Sequence, residues 1–236
     1  MYELTEIEKQ RLLDGIQAAY AIPFIHDITD FIWEAVFSYT KGIPIVDPLK
    51  NTRKKLLYDV VDKSRRTGWS AKAIQKSLNL PTTFELVIQR ADIFKKSSEL
   101  GYRSLSVDSS PQVLGQALLK HWYKKVQEDA EKQGVEEKRT CILLKSLNRT
   151  KYTYFEENLA EYSDEELWWQ WTDDTHTGLQ GIRKGDDFVV FRWYPNQKQL
   201  FERFNLAGDT FTFELEPKRL SSNEIVHLLL DRLNNQ

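Results

Sequence analysis

Apolar positions recur every three or four residues through much of the first half of the chain and alternate with polar ones through much of the second. "TEIEKQRLLDGIQAAY", from residue 5, predicts a helix with Thr5 and Glu8 as a capping box and a stripe through Ile7, Leu12 and Ile16. "HDITDFIWEAVFSYTKG", from residue 26, predicts a second helix. Asp27 or Thr29 caps it, Phe31, Ile32, Ala35 and Val36 face inward, and Gly42 stops it. Past Pro44 and Pro48, "TTFELVIQRADIFKKSSELG" reads as a helix with Thr82 or Thr83 as cap, Phe84, Val87, Ile88, Ala91 and Phe94 inward, and Gly101 as stop. "SPQVLGQALLKHWYKKVQEDAEKQG" is a further helix, with Ser110 as cap and Pro111 in the first turn. "RTCILLKS", "KYTYFEENL", "LWWQWT", "DFVVFRWY" and "TFTFELE" alternate as strands do, and "SSNEIVHLLLDRLNN" closes as a helix. Together these predict an α/β fold of the α+β kind. A mixed central sheet is flanked by helices, with a β-rich C-terminal half. The expected organisation is one domain over 1–236, with an N-terminal helix in 1–26, a catalytic core in 27–146 and a β-rich part in 147–236.

Residues 54–90 admit two readings. In the first, "KKLLYDVVD" and "WSAKAI" are strands joined by "KSRRTG", a polar stretch ending in Gly68 that suits a hairpin. The period of two then puts Leu57, Asp59 and Val61 on one face, and Ser70, Lys72 and Ile74 on one face of the next strand. Pairing sets Asp59 beside Lys72, and the first turn of the following helix offers Glu85. In the second, "SAKAIQKSLNLP" and "TTFELVIQR" form a helix-turn-helix over 70–96, with Ile74, Leu78 and Leu80 on the inner face. That arrangement buries Gln75 and Glu85 without partners, at about 1–3 kcal/mol each. The first reading gives both Lys72 and Glu85 a task.

That task is phosphodiester hydrolysis. The transition state carries more negative charge than the substrate, so a hard cation helps to stabilise it and to acidify a water. Magnesium takes oxygen ligands and keeps several waters, so the two carboxylates of Asp59 and Glu85 suffice to hold Mg2+, with Asp62 as the competing first ligand. Lys72 orients the attacking water. Asp59, Ser70, Lys72 and Glu85 resemble the motif of PD-(D/E)xK nucleases, and within them type II restriction endonucleases in which serine takes the acidic position and a glutamate on the next helix supplies the missing carboxylate. Tyr58 stands where that motif has proline. The resemblance implies a restriction-endonuclease-like core and a catalytic role for Glu34, on the preceding helix. It also implies site-specific cleavage of double-stranded DNA by a homodimer, since cutting both strands at one site favours two-fold symmetry.

Charge fits a polyanion as partner. The chain sums to -2, yet residues 48–103 hold 13 Lys and Arg against 5 Asp and Glu. Arg65 and Arg66, in the hairpin loop, are candidate DNA contacts. Between 177 and 204, Gln180, Arg183, Arg192, Asn196, Gln197 and Lys198 are candidates for reading base edges, because Arg and Lys match guanine and Gln and Asn match adenine. The single cysteine, Cys141, lies in an apolar run and excludes both an internal disulfide and a cysteine-built zinc site. No apolar run approaches the roughly 20 residues that span a bilayer, and the first residues lack the pattern of a secretory signal. A cytoplasmic protein with no membrane partner is the expectation.

Overall fold

The computed structural model describes residues 2–45, 56–76, 81–206 and 210–235. Among the described residues, four helices and ten strands follow the order α1 (Glu6–Ala21), α2 (Asp30–Lys41), β1 (Val60–Asp62), β2 (Thr67–Gln75), β3 (Thr83–Arg90), α3 (Pro111–Gln133), β4 (Glu137–Lys145), β5 (Lys151–Asn158), β6 (Leu167–Trp171), β7 (Leu179–Arg183), β8 (Val189–Tyr194), β9 (Gln199–Asn205), β10 (Phe211–Glu214) and α4 (Ser222–Asn234). The fold is mixed α+β, as the periodicity predicts. Thr5 and Glu8 form the capping box of α1, Gly42 closes α2 at φ 69°, and Ser110 Oγ accepts from Val113 N at the start of α3.

The chain forms two compact units. One comprises Met1–Pro81, Ala130–Leu159 and Ala207–Gln236, and the other Thr82–Asp129 and Ala160–Leu206. This division interleaves segments that the sequence reading kept consecutive. The first unit holds the sheet β1-β2-β4-β5-β10, in which β2 and β4 run parallel and the other pairs antiparallel. Its core includes Trp33 and Phe37 of α2, Trp69 and Ala71 of β2, Cys141 and Leu143 of β4, and Tyr154 of β5. Phe37 meets both Trp33 and Trp69 with ring centroids 5.6 Å apart. Aromatic burial of this kind fixes how a helix sits on a sheet. The second unit holds the antiparallel sheet β3-β9-β8-β7-β6. Gly115 of α3 lies against the Trp169 ring of β6, where an added Cβ would come within 2.2 Å of it.

Two expectations are corrected. Residues 83–90 are a strand, not a helix: β3 pairs with β9 from Thr83↔Asn205 to Arg90↔Gln199, and Phe84 stacks on Phe204 at 5.4 Å. A bulge between Val87 and Gln89 interrupts the alternation, which explains why the apolar spacing imitates a helical stripe. The helix-turn-helix over 70–96 falls with it, since Thr67–Gln75 is extended and none of the described residues in that range is helical. Leu78 and Leu80, invoked for that reading, lie outside the described residues, as does Pro48.

Candidate active site

The hairpin β1–β2 is short on one side. β1 pairs with β2 at three positions, Val60↔Trp69, Val61↔Gly68 and Asp62↔Thr67, and Asp59 N extends the ladder by donating to Trp69 O at 2.8 Å. Farther along the edge, the N–H of Ala71 is taken by a side chain, Asp59 Oδ2, at 2.9 Å. Lys72 Nζ donates to the same oxygen, also at 2.9 Å. The Asp59 side chain is 20% exposed and that of Lys72 33%. The pairing of aspartate with lysine expected from the sequence is therefore present.

The backbone before Asp59 is held from α3. Gln133 Nε2 donates to Tyr58 O at 2.7 Å, and Tyr58 N donates to Gln133 Oε1 at 3.3 Å. A proline at 58 has no N–H for the second bond. The Tyr58 ring is buried where a Cβ on Gly68 would stand 2.9 Å from it, so glycine at 68 makes room for the ring.

Burial raises the carboxyl pKa of Asp59. Lys72 and the Ala71 N–H oppose the rise, and the negative charge of Asp30 adds to it. Asp30 begins α2, and Glu34 follows one turn later on the same helix, half-buried. The carboxylate acting electrostatically on Asp59 thus comes from α2. Sequence reasoning missed Asp30, although its i, i+4 spacing to Glu34 was a usable signal. Ser70 is buried on β2.

Glu85 is placed differently from the expectation. It lies on β3 in the other unit, with Oε1 2.9 Å from Arg192 Nη1. The turn of helix that was to carry it toward Asp59 does not form, because its backbone is paired with β9. Asp62 is occupied within the hairpin loop. Its Oδ1 accepts from Ser64 N at 2.9 Å, Ser64 Oγ at 2.6 Å and Arg65 N at 3.2 Å. The Ser64 hydroxyl above all lowers its pKa against the modest effect of burial. Between the two rival aspartates, it is Asp59 that stands beside Lys72.

The DNA-contact candidates separate into two sets. Arg66 is left-handed at φ 55° and pairs with Glu136, and Arg65 is 74% exposed beside Asp62. In the second unit Gln170, Gln180, Arg192 and Phe201 are successive register partners on β6, β7, β8 and β9, so they form a row across one face of that sheet. Asn196 and Gln197 are exposed in the β8–β9 turn. Three candidates of this unit are engaged in ion pairs: Arg183 grips Asp186 through Nε at 3.0 Å and Nη2 at 2.6 Å, Lys198 Nζ meets Asp92 at 2.6 Å, and Arg192 holds Glu85.

Among the described residues no group of three or more His, Cys, Asp or Glu is arranged to hold a metal. Asp59 and Asp30 are oxygen donors of the kind magnesium takes. A dication there would rely on water and substrate phosphate for its remaining ligands, which suits magnesium better than calcium. No helix among the described residues is long and apolar enough to cross a membrane. No protein-family model, curated protein or solved structure matches this chain.

Proposed function

We propose that the chain is a magnesium-dependent endonuclease of PD-(D/E)xK type, acting on double-stranded DNA as a homodimeric, cytoplasmic restriction enzyme. The observation that carries this reading is the contact of Lys72 Nζ with Asp59 Oδ2 on one hairpin, under the electrostatic influence of Asp30. Water adds to phosphorus and the bridging P–O bond breaks, leaving a phosphate monoester and a hydroxyl. When bound, magnesium supplies Lewis acidity and lowers the pKa of a water. When ionised, Asp59 would hold the cation. Lys72 then turns from Asp59 to the attacking water and the non-bridging oxygens, where positive charge is most effective as negative charge develops. Asp30 and Glu34 complete the acidic side from α2, and Ser70 supports the strand from its buried position. Arg65 and Arg66 steer the backbone by charge, while Gln180, Asn196 and Gln197 face base edges.

Cleavage of supercoiled plasmid tests the proposal. Wild-type protein with Mg2+ should yield nicked and linear forms, and Lys72→Ala should bind DNA without cutting it. Wild-type protein that retards DNA and leaves it intact with Mg2+ or Mn2+ would rule the enzyme out.

A further inference from the structure

His121 of α3 is 7% exposed and meets Gln89 of β3, with the Nε2 atoms of the two side chains 3.4 Å apart. An amide nitrogen only donates, so His121 Nε2 accepts and the ring is neutral, with its one proton on Nδ1. The other end of the amide has no such contact: Gln89 Oε1 is buried and lacks a hydrogen-bond partner among the described residues. Protonation reverses the requirement. Both nitrogens of an imidazolium carry hydrogen, so Nε2–H would face the hydrogens of the Gln89 amide. Half a turn about the bond between Cγ and Cδ, a soft two-fold torsion, brings Oε1 to the ring instead. The oxygen that is unpartnered beside the neutral ring is thus the acceptor that the charged ring needs. Gln89 also ends the bulge that begins at Val87, the irregular point of the β3–β9 ladder and the place where β3 can shift.

We propose that Gln89 and His121 form an acid-sensitive lock between β3 and α3 of the second unit: the neutral pair joins strand to helix, and the charged pair turns the Gln89 amide and loosens the contact. The groups that bear on the ring come from three elements. Burial above all holds its pKa below the usual histidine value, and Lys96, from the segment after β3, acts the same way. The Arg90 backbone on β3 and Glu99 oppose them, while Lys124 of α3 adds to the lowering; the Arg90 side chain itself is exposed. Because the folded-state value is depressed, the stabilisation is complete above the usual histidine value and is lost as pH falls through the folded-state one. The lock stands on the second unit alone, whether or not the chain cuts DNA.

An NMR titration of the full wild-type chain, with nitrogen-15 in its histidine and glutamine side chains, tests the proposal. His121 should titrate at lower pH than the exposed His227, and above its midpoint Nε2 should show the shift of a bare ring nitrogen and Nδ1 that of a protonated one. The Gln89 side-chain amide should move with the same midpoint. Below it, hydrogen exchange in β3 and α3, corrected for the intrinsic effect of pH, should quicken by at least about tenfold. Gln89→Glu should raise the His121 midpoint by about one pH unit or more, since a carboxylate beside the ring favours its charged form. His121→Gln should hold the exchange of β3 constant over the same range. A His121 that titrates together with His227, or stays neutral until the whole chain unfolds, overturns the inference. So does a Gln89 amide indifferent to the titration, and so does acid loosening of β3 that persists in His121→Gln.

Discussion

Lys72 Nζ and the backbone N–H of Ala71 both reach one oxygen of Asp59, Oδ2, at 2.9 Å, so a single carboxylate anchors the edge of β2 and faces the lysine. Burial nevertheless keeps its proton on to a higher pH than in an ordinary aspartate, and Asp30 acts in the same direction.

The pH dependence follows from this. Asp59 must be ionised to hold a dication, so cleavage should fall on the acid side at a pH above the ordinary aspartate value. Because the folded-state pKa is raised, Asp59 contributes stability while protonated and loses it as pH climbs through that value, and a bound dication offsets the loss. Asp30→Asn should move the acid limb downward. A carboxyl-carbon NMR titration of Asp59 reads the midpoint directly; one at or below the ordinary aspartate value would contradict this account.

Gln133 should position Asp59 through Tyr58. Gln133→Ala removes both bonds to the Tyr58 backbone and leaves polar groups without their partner, which should cost about 1–3 kcal/mol in denaturant unfolding. It should also weaken Mg2+ binding, measured calorimetrically. Lost stability with unchanged Mg2+ binding would make the clamp structural only.

Glu156 is the centre of a buried network. Its carboxylate accepts from Trp69 Nε1 at 2.7 Å and Arg139 Nη1 at 2.8 Å, and lies 2.8 Å from Lys41 Nζ. Burial pushes its pKa up, but Lys41, Tyr154 and Trp69 outweigh that and hold it below the usual glutamate value. The resulting stability is fully present above the unfolded-state value and disappears as pH falls through the folded-state one. Glu156→Gln should cost about 3–5 kcal/mol at neutral pH and flatten the acid limb of a stability profile measured by urea unfolding.

Gly115→Ala should destabilise the second unit. The new Cβ would enter the space of the Trp169 indole, and overpacking of this sort costs about 1–3 kcal/mol. Hydrogen exchange should show the loss in β6–β9.

Local patterns determined much of this molecule. Capping residues and three-to-four spacing located α1, α2, α3 and α4, and alternation located β4, β5, β6, β8 and β10, because each signal lies within a few neighbouring residues. The approach of Lys72 to Asp59 was equally legible, since a short loop leaves a hairpin little choice of register. β3, β7 and β9 were not read as separate strands: a bulge disturbs β3, and its partner lies more than a hundred residues away. That distant pairing also decided the fate of Glu85, which sequence order placed near Lys72 and the sheet gave to Arg192. Asp30 gained its influence on Asp59 only when α2 packed on the hairpin sheet through Trp33, Phe37 and Trp69. A sequence specifies which residues can sit on one face of an element. Burial of those faces against distant partners decides which charges end up together.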